Sequence, residues 1–430
     1  MGIAINRTSF RALIIGAFVA TSVLGSQVSP TWQNPNVGLT VDAVTDVHDA
    51  SGSWKSPGLI LREAELIISA NIDPYASLVG NVLFSQQGAE LHEAFVQFPL
   101  LPFNLKLKGG LMLANFGRWN RFHTHALPFI SEPRIHREYA GGMMGLRGIE
   151  LSWLVPIPHY LEVTASVYDL IDGHTHDFDP PDNAQYFTAD RVAEMIGAVP
   201  HGGHYDYEDR HIYDESELYE IANEKLGLNL PIPNNPTVYR GLRSPEDYAY
   251  GGRITTSFEF GTELSADVGG SILYQGQWKQ SSRSDQGFPD FYNKLLWGAD
   301  VTFFWHPLHA NQYRNLQLGF EVIGSKESYE SLYPTSQIIE GFRTGGIAHI
   351  DYQHTEQWHV GGFGSLFQSN DLNNDLRIHA GGYITFVITH FQYLRLEYSR
   401  YEYPGYLDGV NRIMLQYDAT IGYHTHGRQR

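Results

Sequence analysis

The chain has 430 residues, no cysteine and a formal charge of −18. A disulfide framework is excluded, and the negative balance argues against nucleic acid or anionic lipid headgroups as partners while favouring cations. Abundant tyrosine (26), phenylalanine (23) and glycine (43) coexist with a slightly polar mean hydropathy of −0.27, as in a wall that turns only half of each strand toward lipid.

Met1 to about Gly25 reads as a secretory signal, with Arg7 and Arg11 at its start and the apolar stretch Ala12 to Gly25 ending in small residues. That stretch is shorter than the ~20 residues a spanning helix needs, and no other segment approaches such a length. Residues 26–36 form a short periplasmic lead. Strands are then predicted near Val37–Asp46, Leu59–Ile72, Tyr75–Ser85, Glu90–Phe98, Leu105–Leu113, Leu146–Leu154, Tyr160–Asp169 and Ala249–Phe260. The remainder are predicted near Glu263–Gln275, Asn293–Trp305, Tyr313–Gly324, Gly346–Gln353, Gln357–Gln368, Leu376–Ile388, Phe391–Tyr401 and Arg412–Tyr423.

Period-2 alternation carries these assignments. Between Ile413 and Tyr423 the residues Ile413, Leu415, Tyr417, Ala419, Ile421 and Tyr423 oppose Met414, Gln416, Asp418, Thr420 and Gly422. Tight corners such as Asp73-Pro74 and His354-Thr355 alternate with long polar connectors, among them 116–145, 171–247, 277–291, 325–345 and 402–410. Alternating connector length is what a barrel with one periplasmic and one external rim produces. The expected fold is therefore all-β: a closed antiparallel transmembrane barrel of about 16 strands, spanning residues 37–423, in a bacterial outer membrane, with a tail at 424–430. Trp153, Trp297, Trp305, Trp358, Tyr398, Tyr401 and Tyr423 are candidates for its interfacial girdles.

With the apolar face given to lipid, the other face lines a lumen. Its acids would be Asp42, Glu63, Glu65, Glu150, Glu259, Asp267, Asp300, Glu321, Asp351, Glu397 and Asp418; its bases would be Lys106, Lys108, Arg253, Arg377 and Arg395. Carboxylates in excess favour cations. The connector 116–145 holds Arg118, Arg121, His123 and His125 between prolines and aromatics, which suggests a packed loop folded inward as a constriction. The longest connector offers His174, His176, Asp177, Asp179, His201, His204, Asp206 and His211. Imidazole beside carboxylate suits zinc, copper or nickel, loosely held because no rigid ligand spacing is present; no cofactor is required.

The words LREAELIISANIDPYA (Leu61 to Ala76), LHEAFVQF (Leu91 to Phe98), LMLANFGRWNRFHTHALPF (Leu111 to Phe129) and IGYHTH (Ile421 to His426) resemble a family of bacterial outer-membrane barrels related to the phosphate-selective and carbohydrate porins. Some members carry a label calling them zinc-regulated, TonB-dependent receptors. The resemblance implies a passive pore for small hydrophilic solutes, with outer-membrane lipid and the barrel-assembly machinery as partners and the homotrimer as the candidate assembly. The TonB-dependent class needs a folded plug ahead of the barrel, and only Ser26 to Asn36 precede the first strand, so active transport is not expected. A phosphate pore would need a ladder of Lys and Arg, which the inferred lumen lacks. Two other readings stand beside the pore. One is a structural or adhesive barrel, which a plugged lumen would favour. The other is a membrane-embedded hydrolase, which would need a lipid-facing Ser and His; His359 with Ser365, or His379, are the candidates, but their strand faces point inward.

Overall fold

The computed structural model describes residues 35–50, 53–85, 88–169, 171, 200–201, 204–205, 245–280, 291–307, 313–331, 337–368, 376–403 and 407–422. Sixteen of its strands close into one antiparallel barrel. They are β1 (Asn36–Ala50), β2 (Ser53–Asn71), β3 (Ser77–Ser85), β4 (Gly88–Leu101), β5 (Leu105–Leu113), β6 (Gly145–Leu154), β7 (Leu161–Tyr168), β10 (Ala249–Phe260), β11 (Leu264–Gln280), β12 (Phe291–Trp305), β13 (Asn315–Ser331), β14 (Gln337–Gln353), β15 (Trp358–Gln368), β16 (Leu376–Thr389), β17 (Gln392–Tyr403) and β18 (Leu407–Gly422). The intervening β8 (Pro200–His201) and β9 (His204–Tyr205) form a separate two-stranded hairpin. Each barrel strand pairs with its neighbours in chain order, and β1 closes the ring on β18 from Gly38↔Gly422 to Asp49↔Asn411. Closure leaves no strand of the ring without a neighbour on each side.

The two strand faces meet different surroundings. On β18, Ile413, Leu415, Tyr417 and Ile421 are exposed to the outside, whereas Met414, Gln416 and Asp418 are fully buried inside. The exposed apolar side chains around the other strands, including Ile254, Phe258, Phe320, Val360, Ile384 and Leu396, continue the same outer band. No helix among the described residues is long and apolar enough to cross a membrane; the strands do that here.

The rim of short connectors is built from compact turns. At the first, Asp73 Oδ1 accepts the Tyr75 and Ala76 amides, both at 2.8 Å, and Ile72 N–H donates to Ala76 O at 2.9 Å. Asp-Pro suits this role because Pro74 fixes φ while the carboxylate caps the turn.

Several expected connectors are strand instead. β1 and β2 continue to Ala50 and from Ser53, and β13 and β14 continue to Ser331 and from Gln337. Likewise β11 extends to Gln280 and β17 to Tyr403, and β18 starts at Leu407. In these extensions the apolar/polar alternation breaks down, as in Gln337-Ile338-Ile339-Glu340, so the ladder carries on without the pattern that reveals it. Pro57 and Gly58 (φ 89°) are accommodated where the β1–β2 register shifts between Asp46 and His48. Tyr401 is also corrected: it is buried inside the barrel, stacked on Phe367 with centroids 6.2 Å apart, rather than part of an outer girdle. Trp153, Trp358 and Tyr398 do face outward. Tyr423, the signal at 1–25 and the tail at 424–430 lie outside the described residues.

Candidate functional site

The segment 114–144 leaves β5, enters the barrel and returns to β6. Its neck is closed by Ala114 N–H on Met144 O at 2.9 Å. Asn120 staples the same point, donating to Ala114 O at 2.8 Å and accepting from the Met144 amide at 2.6 Å. Gly117, at φ 61°, turns the chain inward against Glu321. A Cβ there would collide with the Glu321 carboxylate, so both the backbone and the space require glycine.

From that turn the loop crosses to the opposite wall. On β11 and β13, Gly117 N–H donates to Ser271 Oγ at 3.0 Å and Arg118 N–H to Glu321 Oε1 at 2.9 Å, while His136 Nε2 lies 3.1 Å from Glu321 Oε2. On the far side, Glu397 of β17 accepts from Ile130 N–H at 2.5 Å and Ser131 Oγ at 2.6 Å. Arg395 donates to Leu127 O at 2.8 Å, Tyr393 OH to His125 O at 2.7 Å, and Arg62 of β2 to Ile130 O at 2.9 Å. A short helix α1 (Arg134–Ala140), ended by Gly141 at φ 81°, lies against β13 to β15 and fixes Tyr139 OH on Gln368 O at 2.9 Å. Between these anchors Phe116, Trp119, Leu127, Phe129, Ile135 and Tyr139 pack with the inward Leu273, Leu296, Ile323, Ile347, Phe363 and Phe367. Burying each such side chain contributes roughly 1.5–3 kcal/mol, so the loop is held by an apolar core of its own inside the barrel.

Beside β2 and β4 the loop meets carboxylates. His125 Nδ1 is 2.6 Å from Glu63 Oε1 and its Nε2 is 3.4 Å from Glu65 Oε2. His123 Nδ1 is 3.1 Å from Glu65 Oε1 and its Nε2 is 3.3 Å from Glu93 Oε2. Burial alone would lower both imidazolium pKa values; the adjoining carboxylates outweigh it and raise them, His125 to about 10.

Two β-bulges build this corner. The β1–β2 register passes from Asp42↔Glu63 to Ala43↔Leu61, and the β3–β4 register from Asn81↔Glu93 to Val82↔Leu91. The skipped residues, Arg62 and His92, are therefore turned inward along with their neighbours Glu63 and Glu93, and all four are buried. Strict alternation would have sent Arg62 and His92 to lipid.

Among the expected lumen residues, Glu63, Glu65, Glu150, Arg253, Asp300, Glu321, Arg377, Arg395, Glu397 and Asp418 are buried on the inner face. Lys106, Lys108, Asp267 and Asp351 are partly exposed, and Glu259 is exposed at the periplasmic end of β10. Many interior charges are paired: Arg253 with Asp300 at 2.8 Å, Lys294 and Arg343 with Glu327 at 2.9 and 3.1 Å, Arg412 with Asp46 at 3.0 Å, and Arg62 with Asp42. Arg62 is turned inward by its bulge and Arg343 lies ahead of the predicted strand, whereas Lys294 and Arg412 share the inward parity of Asp300 and Asp418 and belong with the inner bases; Asp46, Glu93 and Glu327 join the inner acids. The sequence signal for the bulges was a doublet of polar residues, Arg62-Glu63 and His92-Glu93, inside an otherwise alternating run.

His359, Ser365 and His379 are buried and face the interior, away from the lipid surface a hydrolase of that type would use. Of the histidine-rich connector, His201 and His204 are a cross-strand backbone pair on the β8–β9 hairpin; His174, His176, Asp177, Asp179, Asp206 and His211 lie outside the described residues.

An even-stranded, closed antiparallel barrel with an apolar outer band is the architecture of the bacterial outer membrane, and this protein is a transmembrane barrel of that membrane with an inward-folded loop. Within that class no family model matches the chain. It is similar to an uncharacterized protein of Aquifex aeolicus (strain VF5), 23% identical over 399 residues, covering 88% of this chain and 71% of the relative. Among solved structures, Salmonella typhi OmpF in complex with daunomycin is similar at a TM-score of 0.49 and 10% identity, covering 92% of this chain and 99% of that one. The outer-membrane channel DcaP of Acinetobacter baumannii is similar at 0.47 and 12%, covering 90% and 96%. Vibrio cholerae OmpT in its trimer form is similar at 0.45 and 9%, covering 90% and 99%.

Proposed function

We propose that the protein is a passive outer-membrane channel for small hydrophilic solutes, preferring cations, whose bore is set by the inward loop. The observation that carries this reading is a polar inner wall crossed by a loop fixed to both sides of it. The periplasmic half of that wall keeps Glu162, Asp267, Asp351 and Glu259 accessible against Lys106 and Lys108, and the whole chain is acidic. Carboxylates at a water-filled mouth raise the local concentration of cations. Passage of divalent ions such as zinc, gathered loosely by the external histidine-rich connector, and assembly as a homotrimer belong to the same proposal. The test is reversal potential across a potassium chloride gradient in planar bilayers: a cation-selective sign is expected, and an anion-selective sign overturns the preference.

A second reading, a barrel closed to solutes, is favoured by the apolar cluster that the loop forms with the upper wall. Deleting Arg121 to Pro133 separates the two. A conducting parent whose conductance rises on deletion supports the channel. A silent parent that conducts only after deletion supports the closed barrel.

A further inference from the structure

Among the described residues, one cluster has the donor atoms and spacing of a metal centre. Glu65 on β2, His92 on β4 and His123 on the inward loop each place one ligand atom within 4.8 Å of the other two, and all three are buried. His92 and His123 stack with ring centroids 5.8 Å apart and planes 16° from parallel. Two features mark the corner as built for this. His92 reaches the interior only because the bulge in β4 turns it there, against the alternation of its strand. Glu93 Oε2 lies 3.3 Å from His123 Nε2, so Nδ1, 3.1 Å from Glu65 Oε1, is the ring nitrogen that faces the cluster. A carboxylate on the far nitrogen is the usual orienting partner of a metal-bound histidine.

We propose that Glu65, His92 and His123 bind a divalent transition metal, zinc first, and that the ion clamps the inward loop to the barrel wall. Two imidazoles and one carboxylate are a known zinc donor set that leaves a fourth position for water. Bonds of 2.0–2.1 Å place tetrahedral ligands about 3.4 Å apart, so side-chain shifts of about an ångström complete the site. The ion's double charge offsets Glu65 and Glu93, whose carboxylates lie 3.1 and 3.3 Å from the two ring nitrogens of His123. The ligands come from two wall strands and the loop, so the metal ties together parts far apart in the chain. The proposal does not rest on the channel reading, since a clamp operates in a conducting or a closed barrel.

The experiment uses the full folded chain in detergent, stripped with chelator. Histidines 174, 176, 201, 204 and 211 are changed to alanine to silence the external connector. Zinc is titrated by calorimetry, and cobalt(II) is followed by its visible absorption. One tight equivalent is expected, lost in His92→Gln and in Glu65→Gln, and weakened about 10–100-fold in Glu93→Gln. Native gel mobility and circular dichroism report the fold of each variant. Absence of a tight equivalent in the five-histidine variant overturns the proposal without any interior substitution, and so does binding retained by His92→Gln. A chain that binds one equivalent yet never conducts leaves the metal site standing and removes the channel.

Discussion

Replacing Glu397 by leucine should release the tip of the inward loop. The Glu397 carboxylate is fully buried and accepts from Ile130 N–H at 2.5 Å and Ser131 Oγ at 2.6 Å. Hydrogen bonds to a buried charged acceptor contribute about 1.5–3 kcal/mol each, and losing the acceptor strands both donors. Leucine returns part of this through apolar contact, leaving a net loss of about 3 kcal/mol in loop docking. At 1.4 kcal/mol per tenfold, that is a roughly 150-fold rise in the undocked population. Hydrogen–deuterium exchange read by mass spectrometry follows it directly. Peptides covering 125–131 should exchange roughly 150-fold faster while the β10 to β12 wall keeps its protection. Equal exchange in a natively folded Glu397→Leu protein would refute the view that this carboxylate holds the loop.

Three other expectations follow from the same geometry. Gly117→Ala forces a side chain into positive φ and against Glu321, so the loop's near-side anchor should weaken by about 1–3 kcal/mol, seen as faster exchange near Gly117 and Arg118. Leu415→Arg places a cation on the lipid face in the middle of the run Ile413 to Ile421 and should destabilise the barrel by about 2–4 kcal/mol, measured by denaturant refolding into lipid vesicles. Lys294→Met leaves Glu327 buried with one of its two cations gone; breaking such a pair costs about 3–5 kcal/mol, less whatever Arg343 at 3.1 Å still supplies, and the lost stability is readable by thermal gel shift.

The barrel was legible because lipid and lumen impose opposite preferences on successive residues. Ile413 to Ile421 display this without error, and sixteen strands were expected and found. What alternation could not show was the interior core. Ile323 shares its face with Glu321, yet it is as apolar as Val322 on the lipid side, and only the presence of the loop explains it. The inward course of 116–145 was readable from its prolines and aromatics, and His123 and His125 are in it. Their partners were half visible: Glu63, Glu65 and Glu93 follow the period, whereas Arg62 and His92 depend on bulges that shift the period by one. Strand ends such as Ser331 and Gln337 read as connectors because the alternation breaks there, as in Gln337-Ile338-Ile339-Glu340.

The seam between β1 and β18 sets the order in which the molecule can be made. Strands adjacent there are separated by nearly the whole chain, so their pairing carries the largest loop-closure entropy in the fold and comes late. The inward loop takes its far anchors from β17 and from β2, the strands on either side of that seam. Its docking therefore cannot be complete while the ring is open. Sealing of the seam and full docking of the loop are coupled, because the anchors on β17 and β2 come within the loop's reach together only in the closed ring.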